Sequence, residues 1–412
     1  MEINTKRVWE RIHQLSCIGA TKHGGVSRFA FSLEDRQATD LVIKWMKEAN
    51  LHVTSDSLGN VYGRRKGKRE GPPVLAGSHL DTVPNGGKFD GVAGVIAALE
   101  VLQVFEENDI ITDLPIEMVI FVNEEGSRFA GGLMGSMGIA GRLDNSIVDS
   151  LIDNEGVILR DAMKSFGAKP DEIHEAVRTK GDYTAFFELH IEQGEVLESQ
   201  DIPVGIVNGI AGPYQMKVSI YGRSGHAGAT PMGLRKDPMV AAGMVIQEVE
   251  RSALEEGKTI RGTVGFIKAY PGGHNVIPEK VEFTLDYRDI NPQNRIKAVN
   301  RIKDYIDDIC ENRSLKYDII TTQNTQPILL NENIVSLMES SAHEYNIPAF
   351  IMPSGAAHDA MNLHALCPTG MIFIRSKNGL SHCPEEYSTE EDVALGTKLL
   401  LSTIQKSADG YL

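Results

Sequence analysis

The sequence predicts an α/β fold: a main domain built on a mostly parallel sheet, interrupted by a smaller inserted domain of ferredoxin-like (βαββαβ) order. Three observations carry this expectation. From Pro73 to His190, short apolar runs bounded by turn residues alternate with helical stretches, as parallel strands joined by helices do. After Gly209 the pattern changes to alternating, half-exposed strands in the order strand, helix, two strands, helix, strand. With 412 residues and 42% hydrophobic content, the chain is long enough for two full cores.

The main domain begins with helical periodicity over Asp35–Asn50, where Leu41, Val42, Trp45 and Met46 share one stripe. Val53-Thr54 and Val61-Tyr62 flank Ser57-Leu58-Gly59-Asn60, a hairpin signal. Pro73–Ser78, Ile116–Val122 and Phe186–His190 read as buried strands, and the Ala-, Val- and Leu-rich Gly91–Val104 as a buried helix. In the insert, strands are expected at Tyr214–Tyr221, Thr263–Tyr270, Val281–Arg288 and Lys316–Thr322, with helices at Pro238–Leu254 and Pro292–Ile309. The main domain resumes with a helix over Asn333–Tyr345, a strand over Met371–Arg375 and a closing helix over Thr389–Gln405. The boundaries so drawn are 1–210 and 326–412 for the main domain and 211–325 for the insert.

Bulk properties narrow the function. Lys and Arg total 41 against 56 Asp and Glu, a net charge of −15, and no basic patch suits nucleic acid or anionic lipid. The four cysteines are scattered without a C-x-x-C pair, which excludes a disulfide framework and a thiolate zinc site. The N-terminal residues hold no apolar core of a signal peptide, and no run approaches the roughly 18 apolar residues of a membrane span. A reducing cytoplasm is the expected compartment.

The chemistry gathers around His79, Asp81, Asp90 and the pair Glu124-Glu125, at the ends of expected strands or the start of a helix, where open α/β sheets place their sites. A lone strand histidine is ordinarily structural, but Asp81, two residues on, is spaced to hold one imidazole nitrogen of His79 while the other binds a metal. Asp90 follows a Gly-Gly turn and suits either a helix cap or a carboxylate bridging two cations. Adjacent Glu124 and Glu125 repel unless neutralised; they suit a solvated loop, or a ligand beside a general base. His190 ends a strand and His382 lies in a Gly-Leu-Ser-His loop; with His79, Asp90 and Glu125 they complete an all-nitrogen-and-oxygen donor set suited to Zn²⁺, Mn²⁺ or Co²⁺.

The ordered segments Gly77-Ser78-His79-Leu80-Asp81, Glu124-Glu125-Gly126-Ser127-Arg128-Phe129, His190-Ile191-Glu192-Gln193-Gly194, His226-Ala227-Gly228-Ala229-Thr230-Pro231-Met232, Pro353-Ser354-Gly355-Ala356-Ala357-His358-Asp359 and Ser381-His382 resemble the dinuclear metal amidohydrolases related to aminoacylase and the glutamate carboxypeptidases. Within them the chain is most similar to the N-carbamoyl-L-amino-acid hydrolase, β-ureidopropionase and allantoate amidohydrolase branch, over nearly its whole length. The resemblance implies two divalent ions per subunit, one held by His79 and His190, the other by Glu125 and His382, with Asp90 as the bridge. It implies that Asp81 orients His79 and that Glu124 is the general base. His226 would stabilise the tetrahedral oxyanion from the partner subunit of a homodimer, making the insert a dimerisation and lid domain. Gln193, Asn275 and Arg288 would contact the ureido group and the substrate carboxylate, and His358 would face the site. Arg288 alternatively pairs with Asp286 or Asp289 beside it.

The expected activity is hydrolysis of an N-carbamoyl-L-amino acid to the free amino acid, carbon dioxide and ammonia. Allantoate or N-carbamoyl-β-alanine as substrate, a dipeptidase or acylase role, and a catalytically silent binding module are the alternatives.

Overall fold

The computed structural model describes residues 2–411. In chain order its strands are β1 (His52–Ser55), β2 (Val61–Arg65), β3 (Val74–His79), β4 (Ile116–Phe121), β5 (Ala185–Ile191), β6 (Val204–Ile210), β7 (Gly212–Tyr221), β8 (Gly225–His226), β9 (Arg261–Thr263), β10 (Ile267–Tyr270), β11 (Val276–Ile277), β12 (Lys280–Asp289), β13 (Lys316–Asn324), β14 (Ile328–Leu329), β15 (Ala349–Ser354) and β16 (Thr369–Ile374). The chain divides into two compact units. The first runs to Asn208 and also takes Leu330–Met352 and the segment from His358 onward; the second is Gly209–Leu329 with Pro353–Ala357.

In the first unit the sheet order is β1-β2-β4-β3-β5-β16-β6. Its four central strands, β4, β3, β5 and β16, are mutually parallel, and antiparallel strands flank them on both sides. Strands buried on both faces read as unbroken apolar runs, and β3, β5 and β16 are buried at every position. The helix Val92–Glu107 packs on β3 and β5 and is buried nearly all round, which is why its sequence is apolar without a strong stripe. At roughly 1.5–3 kcal/mol for each large apolar side chain fully buried, this helix is a principal source of the unit's stability and fixes the loop that precedes it. Asp90 lies in that loop and does not cap the helix; Gly91 holds the N-cap position without a side-chain bond.

Several elements lie outside the expected set, although in the first of them Val8, Ile12 and Leu15 mark one helical stripe. The helix Thr5–Ser16, the strands β6 and β15, and the short helices between Met134 and Phe166 were not expected. Each carries its apolar residues in a short or one-sided arrangement that tertiary packing, rather than local propensity, selects.

The second unit follows the βαββαβ order. Its sheet runs β10-β12-β7-β13, all antiparallel, with β9 pairing the far end of β12. Helices Pro238–Glu256 and Pro292–Asn312 bury Val245, Val249, Ile302 and Ile306 against Val218, Ile220, Phe283 and Leu285 of the sheet. Along β12 the odd-numbered residues are buried and Thr284, Asp286 and Arg288 half-buried, so the last two share the open face. The single strand expected over Thr263–Tyr270 is two. Thr263 pairs with Asp286 but Ile267 with Phe283, so one extra residue is accommodated around Gly265 as a bulge.

Behind the sheet ends, the buried Arg28 donates its Nε–H to the Leu80 carbonyl and one Nη to the carbonyls of Leu15 and Ile18. Nearby, Asp35 lies in the first turn of the helix Leu33–Glu48: its amide donates to the hydroxyl of the N-cap Ser32, and its carboxyl accepts from the N–H of Phe31, one residue before the cap. Burial, together with Asp81, pushes the Asp35 carboxyl up to about 7 despite that bond and Arg28. An unfolded Asp ionises near 3.8, so between these values the folded state binds more protons than the unfolded one. Stability then falls as pH rises from about 4 to 7 and is level above. Asp35→Asn keeps an acceptor for Phe31 and should remove this slope, read as a smaller drop in urea midpoint between pH 5 and pH 8 than in the parent protein.

Candidate metal centre

The carboxyl ends of β3, β4 and β5 deliver the site. His79 is the last residue of β3, His190 the penultimate residue of β5, and Glu124-Glu125 follow β4 after Val122 and Asn123. Asp90 sits in the loop ahead of the long buried helix, and His382 in the loop after β16. The chain reaches these positions through left-handed backbone at Asn123, Gln193 and His382, all with φ between 50° and 58°. Asn tolerates that region better than most residues, which accounts for Asn123 before the glutamate pair.

Asp90 is the centre of the arrangement. Its Oδ1 stands 3.4 Å from His79 Nε2 and 3.1 Å from His190 Nε2, while Oδ2 stands 3.3 Å from His382 Nε2. His382 Nε2 is also 3.5 Å from Glu125 Oε2. Two groups of three donors contain Asp90, His79/Asp90/His190 and Asp90/Glu125/His382, and they share only Asp90; a third, Glu188/His190/His358, overlaps the first at His190. In the first group the opposite ring nitrogens are accounted for: His79 Nδ1 faces the Asp81 carbonyl and His190 Nδ1 the Ile191 carbonyl, each at 3.0 Å. A carbonyl only accepts, so Nδ1 carries the hydrogen and Nε2 presents its lone pair to a carboxylate oxygen. Two electron-rich atoms at such a distance require a cation or an extra proton between them. His79 Nε2 and Glu125 Oε1 are buried and lack a hydrogen bond, as ligand atoms held for a metal do. The donor set therefore fits divalent cations.

The Asp81 carboxylate stands 3.7 Å from His79 Nδ1, and two further Asp81 contacts lie beside it. Because β3 ends at His79, Asp81 lies beyond the strand; its carbonyl meets His79 Nδ1, and its carboxylate accepts from the amides of Glu124 and Glu125 at 3.1 Å each. One residue thus orients the histidine and pins the glutamate pair. Glu124 belongs to neither donor group but stands beside them, with Oε2 3.5 Å from His79 Nε2.

The electrostatics follow from crowding buried carboxyls. Burial pushes Glu124 well above the usual carboxylate range; His79 opposes this, while Asp359, Glu125 and Asp81 add to it. Burial and Asp90 raise Glu125 to about 7. A hydrogen bond to Asp90 raises His382 to about 9. His358 packs edge-on to His190 at 4.5 Å between ring centroids, and burial followed by the charge of His190 holds it neutral.

Gln193 lies within the cluster, its Nε2 donating to Asp90 Oδ2 at 2.7 Å. The other expected residues lie in the second unit. His226 and Asn275 come together there through the pairing of β8 with β11 and a bond from Ala227 N–H to the Asn275 carbonyl. His226 Nδ1 accepts from the amides of Gly228 and Ala229, so Nε2 carries the ring N–H and is a donor. Arg288 forks onto Asp286 through Nε and Nη2 and gives its Nη1–H to the Gly355 carbonyl, the neighbour pairing that its position on β12 allows. Sequence reasoning missed Glu386, which is buried between the Asp90 and His382 loops; its only signal was a second glutamate pair, Glu385-Glu386, soon after His382.

Comparison with known proteins agrees with the fold. The chain belongs to peptidase family M20/M25/M40, whose model matches residues 75–406. It is 45% identical over 409 residues to an N-carbamoyl-L-amino acid amidohydrolase of Geobacillus stearothermophilus, covering 99% of this chain and 100% of that one. It is 46% identical over 409 residues to the N-carbamoyl-L-amino-acid amidohydrolase of Pseudomonas sp. (strain NS671), covering 98% of each. Among solved structures, a hydantoinase/carbamoylase-family amidase from Burkholderia multivorans superposes with a TM-score of 0.94 at 33% identity, covering 99% of this chain and 98% of that one.

Gly91 makes the first donor group possible. Its φ of 63° is left-handed, and a Cβ there would press on the His79 imidazole. Gly91→Ala combines a backbone cost of about 1–2 kcal/mol with displacement of the ring. Metal retained after dialysis should fall at least about tenfold, as disturbed ligand orientation typically costs. Retention equal to the parent protein, by elemental analysis, would show that His79 is not held by this contact.

Proposed function

We propose that the protein is a dinuclear metal-dependent amidohydrolase that converts N-carbamoyl-L-amino acids to the L-amino acid, carbon dioxide and ammonia. The observation that carries this is the Asp90 carboxylate, with one oxygen turned to His79 and His190 and the other to His382 beside Glu125. The relatives named for N-carbamoyl-L-amino acids, aligned over almost the whole chain, support the substrate class. Zn²⁺, Mn²⁺ and Co²⁺ all suit these ligands.

His79, His190, Asp90, Glu125 and His382 would hold divalent cations, which when bound would supply a Lewis acid for the ureido carbonyl and acidify the attacking water. Glu124, close to both donor groups but outside them, takes the proton of that water and delivers it to the leaving nitrogen. Burial, with Asp359, Glu125 and Asp81 nearby, holds its carboxyl well above the ordinary range against the opposing pull of His79. His226 offers its Nε2–H to the oxyanion, and its tautomer is set by the two amides on Nδ1. Asn275 and Arg288 bind the substrate carboxylate, Arg288 through the guanidinium that Asp286 now orients. Gln193 and His358 contact the ureido group. A homodimer in which the second unit is the dimerisation domain completes this reading. The cytoplasm suits a chain whose four cysteines are all free; no helix among the described residues is long and apolar enough to cross a membrane.

The test is ammonia release by Mn²⁺-loaded protein from N-carbamoyl-L-methionine, N-carbamoyl-β-alanine and allantoate, with chelated protein as control. Chelator-sensitive release from the first is expected. Release from allantoate alone would overturn the substrate assignment. Glu124→Gln should lower kcat by at least about a hundredfold while leaving KM nearly unchanged. An unaltered kcat would remove Glu124 from proton transfer.

A further inference from the structure

Glu386 is 3% exposed, and both of its oxygens are occupied. Oε1 accepts from the amides of Phe89 and Asp90, at 2.9 and 3.1 Å. Oε2 accepts from the Ser381 hydroxyl at 3.0 Å and the His382 amide at 3.3 Å. One carboxylate therefore joins two loops that lie almost three hundred residues apart, each carrying a donor of the Asp90/Glu125/His382 group. The Ser381 hydroxyl also lies 3.0 Å from Asp90 Oδ2, so its single hydrogen is shared between the two carboxylates and couples them further. The sequence makes room for this clamp. A Cβ on Gly87 would collide with the Glu386 carboxyl group, so the Gly-Gly turn before Asp90 reads as a seat for Glu386.

We propose that Glu386 is a positioning residue that sets the spacing between Asp90 and His382 and thereby the affinity of the cation site they share with Glu125. The inference rests on the two-cation reading above. A carboxylate that takes backbone amides from two loops is rigid, and removing one that orients metal ligands commonly weakens affinity 10–100-fold. His79 and His190 take their orientation from the carbonyls of Asp81 and Ile191, and their group meets Glu386 only through the shared Asp90, whereas the second group has both Asp90 and His382 held by it.

The experiment is a calorimetric Co²⁺ titration of the chelator-stripped full chain, with His382→Ala as the reference that identifies the binding step belonging to the second group. The parent protein should take two equivalents; one equivalent would sink the two-cation reading itself, separately from the role of Glu386. Glu386→Ala should weaken the step that His382→Ala abolishes by at least about tenfold, and the other step by a clearly smaller factor. Glu386→Gln, which keeps one accepting oxygen, should fall between. Gly87→Ala should reproduce the selective loss with Glu386 still present, and it decides the matter if Glu386→Ala does not fold. Unchanged affinity at both steps, or equal loss at both accompanied by a lower Tm, would overturn the proposal and leave Glu386 a structural residue only.

Discussion

The constraint on which the rest depends is the burial of several carboxyl groups and imidazoles at the ends of parallel strands. Asp90, 5% exposed, is faced by three imidazole nitrogens, and Glu124 and Glu125 stand beside them. Ionised groups removed from water in such number are tolerated only where opposite charge and directed hydrogen bonds compensate them. The backbone provides much of that compensation. The Asp81 carboxylate holds the amides of Glu124 and Glu125, Glu386 holds those of Phe89, Asp90 and His382, and carbonyls hold the Nδ1 hydrogens of His79 and His190. Around Asp90, despite its burial, His190, His382 and His79 hold the carboxyl well below the usual range, and divalent cations held by the same donors would add positive charge there.

The same demand explains where the chain departs from ordinary conformation. Asn123, Gln193 and His382 adopt left-handed backbone at the points where strand-derived segments turn into the site. Such residues cost roughly 1–3 kcal/mol each and persist where surrounding structure over-determines them. Here the surroundings are named: Met134 N–H bonds the Asn123 carbonyl, the Ser376 hydroxyl takes the Gln193 amide, and Glu386 takes that of His382.

Much of the fold was legible because its strands and helices obey simple patterns. The strands β3, β4 and β5 are mostly apolar, and the helix Val92–Glu107 is apolar over most of its length, as expected for a doubly covered sheet. In the second unit β12 alternates between a buried and an open face, which explains why Arg288 meets Asp286 rather than Asp289. The bulge around Gly265 was not legible, since a one-residue offset between two strands changes register without changing composition.

His79, Asp90, Glu125, His190 and His382 could be singled out from the chain, because residue type and nearness to strand ends constrain metal chemistry strongly, and family resemblance aligned them. The sequence by itself determined the donor types, the α/β class and the βαββαβ order of the insert. Only the tertiary structure decided that Asp81 takes the glutamate amides with its carboxylate and meets His79 Nδ1 with its carbonyl, and that Glu386 clamps two remote loops. These are contacts to backbone groups, which every residue possesses alike, so no side-chain pattern along the chain can announce them.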